Sequence, residues 1–182
     1  MTMKRDTAER RKQRFLERLG TPNFVCITCG GTDWCTAEGH HIAGRLYDKH
    51  VEYFCANCHR RLTEAQKSHP TPSSRTLGPV ECAGHYSLGF ADVLHLTSRL
   101  ATTFGHELVE GSADIGSDAT RSLTLKVGHF LIVLAAILDE TARRLERHGT
   151  RLCDESAQAA AYPGRPSVGR RPAPRAKFRR RT

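Results

Sequence analysis

In the 182-residue sequence no apolar run is expected to be long enough to cross a membrane. Its longest, FLIVLAAIL from Phe130 to Leu138, is nine residues, and extending it back past His129 and Lys126 still leaves it short of roughly 18 to 20. A buried helix is the expected form, and no membrane association is expected. The N-terminus, MTMKRDTAERRKQRF, lacks the apolar core of a signal peptide, which points to a cytoplasmic chain whose thiols stay reduced. Seven cysteines, an odd number, then argue for metal ligation over a disulfide framework. No internal repeat is visible, and the length excludes a large multidomain enzyme.

Acidic residues are scarce at both ends. Residues 1 to 18 carry seven Lys/Arg against three acids, and residues 148 to 182 carry nine against two, so the body between them is close to neutral although the whole chain is at +9. Two basic arms on a neutral body favour a polyanionic partner such as nucleic acid, without separating DNA from RNA.

Five segments are expected. Residues 1–20 form a basic helix, in which Asp6 and Glu9 resemble a capping box and Gly20 and Pro22 supply the stop. Its apolar patch, Phe15, Leu16 and Leu19, is small, leaving its arginines to solvent or to a phosphate backbone. Residues 21–67 hold a dense Cys/His segment, and 68–80, rich in Pro and Ser, read as a linker. Helical periodicity over 86–110 and 119–147, broken by GSADIGSD, predicts an antiparallel hairpin within 81–147. It would pack on the metal domain, on a second copy, or on both, so a homo-oligomer or protein partner through the hairpin stays open. Residues 148–182, with no acid beyond Glu155 and four of the eight prolines, are expected to be disordered.

Cys26-Ile-Thr-Cys29 and Cys55-Ala-Asn-Cys58 are two C-x2-C pairs separated by 25 residues. A tight turn holds two thiolates on one side of a metal, and two turns complete a tetrahedral Zn²⁺ site. Such a site also supplies folding free energy that a core of this size lacks. A redox role is weaker, since no thioredoxin-like strand and helix order surrounds either pair. Cys35 is near enough to Cys29 to be a substitute ligand, while Cys82 and Cys153 read as packed or idle thiols.

Four thiolates leave His40, His41, His50 and His59 unexplained. Residues 39–43 read as a short strand, where neighbours point to opposite faces, so one of the two adjacent histidines suits a cation and the other a proton. The order C-x2-C, His-His, C-x2-C-His resembles the HNH endonuclease family over about residues 24–68. That resemblance implies a ββα-metal fold, hence an α+β chain: a small zinc-stabilised HNH domain followed by a helical hairpin, with a basic N-terminal helix and a disordered basic tail. It implies His41 as the general base, His40 and His59 as ligands of a catalytic divalent cation, Mg²⁺ or another, and the four cysteines as ligands of structural zinc. It implies His50 in the place where the family usually has Asn, about five residues before the third cysteine. Arg45, Lys49, Arg60 and Arg61 flank the site, to neutralise DNA phosphates or simply as solvated charges. Two other readings stay open: an idle zinc-containing module that only binds nucleic acid, and a nuclease subunit active only within a larger phage-packaging or defence assembly.

Overall fold

A computed structural model describes residues 3–72 and 78–161. The element order is α1 (Met3–Leu19), β1 (Ala37–His40), β2 (Glu52–Cys55), α2 (Ala56–Gln66), α3 (Pro79–Gly111) and α4 (Asp118–Ala161), with short 3₁₀ turns at Trp34–Thr36 and Ser112–Asp114. The chain is α+β, mostly helical, with one two-stranded antiparallel sheet that pairs Ala37 with Cys55 and His40 with Glu52.

Period-two alternation divides the hairpin. Phe54, fully buried, faces α2 and joins Phe24, Cys26, Ile42, Cys58, Leu62 and Leu96 in one core. Tyr53 faces the other way and meets Phe15 of α1 edge-on, with ring centroids 5.3 Å apart. Phe15 also touches Phe24 and Trp34, and Leu16 and Leu19 pack on the same core, so α1 is anchored by a small apolar patch rather than by a wide face.

Helix α3 is the spine that joins the small domain to α4. On one side it receives the small domain. A Cβ on Gly89 would lie 1.8 Å from the Ile42 carbonyl oxygen, so glycine is needed for backbone to meet backbone there. On another side it meets α4 at Gly84 with Gly149 and at Gly105 with Gly128, where added Cβ atoms would lie within 3 Å of the facing carbonyl oxygens. Ser98 donates to the Ala135 carbonyl at 2.9 Å, and His95 pairs with Asp139 at 2.8 Å.

Several expected boundaries move. The strand expected at 39–43 ends at His40, because Gly44 at φ +87° folds the chain back and donates to the His41 carbonyl. The helix expected to begin at His59 begins at Ala56, directly after the third zinc-motif cysteine. Helix α3 begins at Pro79, inside the expected linker, since proline suits the first turn.

The larger correction concerns residues 148–161, expected to be disordered. They continue α4 to Ala161, because Gly149 and buried Cys153 pack against Gly84 and Leu88 of α3 and little further apolar surface is required. The expected disorder of residues 162–182 lies outside the described residues. The apolar centre of α4 is not buried either: its most apolar 18-residue window is only 11% buried, although by length and composition the helix is one that could span a membrane.

Candidate zinc and histidine centre

The first C-x2-C turn is built by backbone bonds. The Cys26 amide donates to the Gly31 carbonyl and the Gly30 amide to the Cys26 carbonyl, each at 2.8 Å, with Gly30 at φ +73° closing the turn. The second turn is the first turn of α2. Together they bring the Sγ atoms of Cys26, Cys29, Cys55 and Cys58 within 4.8 Å of one another, with Cys29 and Cys55 3.5 Å apart. A tetrahedral zinc with Zn–S near 2.3 Å has S···S edges of about 3.8 Å, so the donor set fits zinc.

The electrostatics differ among the thiols. Burial opposes ionisation of Cys26, but amide hydrogen bonds from Cys55, Cys29 and Thr28 outweigh it and bring the thiol down to about 7. Burial, then the neighbouring thiols Cys55 and Cys29, push Cys58 up strongly. Four thiolates crowded this closely need a positive ion to coexist. Cys35 is exposed on the 3₁₀ turn outside this group, and no substitute ligand is required.

The second cysteine turn sets where α2 starts and so places His59 in its first turn, facing His40 at the end of β1. The two rings meet edge-to-face with centroids 5.2 Å apart. About 5 Å suits two imidazoles whose nitrogens each lie ~2.1 Å from one ion with a near-right angle between them. Burial first, then His59, lowers the His40 pKa to about 4, so its ring is neutral near pH 7 with a lone pair to donate.

Glu38 completes this pair. Two residues before His40, it shares that face of the strand, and its Oε2 lies 2.6 Å from His59 Nδ1. A carboxylate on Nδ1 fixes the tautomer and directs Nε2 outward, the usual support of a metal-binding histidine. The i, i+2 spacing in β1 was the available signal for it.

His41 lies just past the strand, in the turn closed by Gly44, and is half-buried with Nδ1 lacking a partner among the described residues. Its backbone is clamped from the end of α2: Gln66 Nε2 donates to the carbonyls of both His41 and Ile42 at 2.8 Å. His50 is not brought to this cluster. Its side chain is 74% exposed and its Nε2 lies 3.0 Å from Glu52. Arg45, Lys49, Arg60 and Arg61 are exposed, and none is paired with an acid among the described residues.

Two features lie beside this centre. On the opposite side of the β-hairpin an open groove of about 850 Å³ is lined by Arg11, Arg14 and Arg18 with Phe15 and Trp34. Next to the His41 turn, Tyr47 stacks on buried His85 with centroids 3.8 Å apart, and His69 lies 2.9 Å from Asp92. Burial, then His69, lowers the His85 pKa.

No protein-family model, no curated protein and no solved structure matches the chain.

Proposed function

We propose that the chain is an HNH-type endonuclease that hydrolyses DNA phosphodiester bonds, using His41 as general base and a divalent cation held by His40 and His59. The observation that carries this is the pairing of His40 and His59, ring to ring at 5.2 Å, with Glu38 on His59 and His41 adjoining them in a rigid turn. A structural zinc module needs none of these four groups.

In the reaction, a water bonds to phosphorus as the His41 imidazole takes its proton, and the bond from phosphorus to the 3′ oxygen breaks. That oxygen then takes a proton from solvent. Imidazole, which can both accept and return a proton, is the side chain most often used for such an exchange. A divalent cation, Mg²⁺ or another, supplies charge neutralisation at the phosphate and the departing oxygen. Arg45, Lys49, Arg60 and Arg61 neutralise neighbouring phosphates, and Arg11, Arg14 and Arg18 hold backbone more distantly; RNA offers the same phosphate chemistry.

A plasmid assay with Mg²⁺ or Mn²⁺ tests the reading, with wild type beside His41→Ala. Cleavage by wild type and its loss in the variant support it, and cleavage untouched by the substitution refutes it. Outward-turned His50 favours a second reading, in which the site is idle and the protein only binds nucleic acid. Binding without cleavage at any divalent ion selects that one, and cleavage that appears only when a partner is added selects the assembly-dependent nuclease.

A further inference from the structure

Five large apolar residues stand exposed along α4: Leu123 at 63%, Val127 at 41%, Phe130 at 64%, Val133 at 60% and Ile137 at 58%. At 3.6 residues per turn they fall within about 120° of arc over roughly 21 Å of helix. The side of α4 that meets α3 carries a different set, Gly128, Ala135, Asp139, Ala142 and Gly149. On α3, Phe90 at 51% and Phe104 at 54% are exposed as well. Phe104 directly precedes Gly105 of the helix contact, just as Val127 precedes Gly128, and in antiparallel helices that offset turns both residues to one side of the hairpin. At about 100 Å² each, the five α4 residues expose roughly 500 Å² of apolar surface, in the upper part of the range for the largest patch on a monomer.

The order of the α4 residues identifies the occupant. Leu123 and Ile137 each lie seven residues from Phe130, and Val127 and Val133 each lie three. Spacing symmetric about one residue is self-complementary under a two-fold axis. We infer that two copies of this chain associate through antiparallel α4 helices with the two-fold axis at Phe130, so that Leu123 meets the partner's Ile137 and Val127 meets the partner's Val133. The same register sets Lys126 at the level of the partner's Leu134 and Glu140 at that of the partner's Thr120, so no like charges meet.

A lipid bilayer fits this surface less well. A spanning helix needs about 20 residues apolar all round. Here Asp139 is bonded to His95 and the Ala135 carbonyl to Ser98, so insertion would strip α4 from α3 or carry Arg99, Glu107 and Glu110 in with it.

The test uses the full zinc-loaded chain, free of nucleic acid, in light scattering and sedimentation at tens of micromolar. A mass twice 20.3 kDa is expected. Phe130→Glu alters an exposed side chain, so it should retain wild-type helical circular dichroism and sediment as a monomer. Register is tested separately: Leu123→Lys and Ile137→Glu proteins should each be monomeric and should form a mixed dimer when combined, whatever becomes of Phe130→Glu. A monomeric wild type, a dimer that survives all three substitutions, or a failure of the two monomeric variants to combine would overturn the inference. So would a monomeric wild type that floats with phosphatidylcholine vesicles, which would assign the face to lipid. None of these readouts involves cleavage, so this inference and the nuclease reading fail independently.

Discussion

At the scale of single residues, Glu38 and His41 separate two tasks within the proposed reaction. Glu38 supports a ligand of the cation, so Glu38→Gln should weaken Mn²⁺ affinity by about 10- to 100-fold, as titration calorimetry would show, with activity partly restored at high metal. His41 handles the proton, so His41→Ala should lower cleavage by about 10² to 10⁴ with Mn²⁺ affinity and zinc content unchanged. A Glu38→Gln protein with wild-type affinity would remove the carboxylate from the site. A third residue speaks through pH. Burial and His69 hold the folded His85 pKa below the unfolded value of about 6.5, with Glu81 opposing and Tyr47 stacked on the ring. The unfolded chain therefore takes the proton first as pH falls, and stability declines below about pH 6.5. His85→Phe keeps the stack and removes the titration, so unfolding below about pH 6.5 should take up fewer protons than in wild type, measured from the slope of stability against pH. The cysteine cluster was legible in the sequence because each C-x2-C pair is a local spacing, whereas the meeting of His40 with His59, well apart in the chain, was expected only through the family resemblance. Gln66 was not, because its two bonds to the His41 turn span about 25 residues and depend on where α2 ends.

Among the elements, the two cysteine turns and α3 hold the small domain in different ways. The β-hairpin has two strands of four residues, too little to be stable alone, and zinc in such modules contributes about 10 to 16 kcal/mol of folding free energy. A chelator, or Cys58→Ser, should therefore abolish the near-ultraviolet signal of Trp34 and the aromatic cluster around Phe15 while most of the helical signal of α3 and α4 remains. Simultaneous loss of both signals would show that the two parts fold as one unit. The seat on α3 depends on Gly89 lying against the Ile42 carbonyl, so Gly89→Ala should cost about 1 to 3 kcal/mol through displaced backbone. Helix existence was legible from periodicity in both hairpin helices. The length of α4 was not, because two small residues, Gly149 and Cys153, find their neighbours only in the first turns of α3.

Taken as a whole, the molecule pairs a small domain built around a four-cysteine cluster with a hairpin whose free face points elsewhere, and its charge is concentrated at its ends. Residues 162–182 hold eight Lys/Arg and no acid. Deleting them should weaken DNA binding and flatten the dependence of log K on log salt by about 0.9 for each phosphate left without its cation; an unchanged slope would exclude the segment from binding. The reach of α4 gives this segment a defined origin. Gly149 sits level with Gly84, so the twelve residues that follow carry α4 about 18 Å onward, past the start of α3 at Pro79. Tyr47, stacked on His85, marks the same end of the hairpin as the one where the histidine turn lies. Ala161, where the described part of α4 ends, therefore lies toward the end of the hairpin that carries the His41 turn, whereas a hairpin of opposite polarity would have brought it to the tip where α3 joins α4.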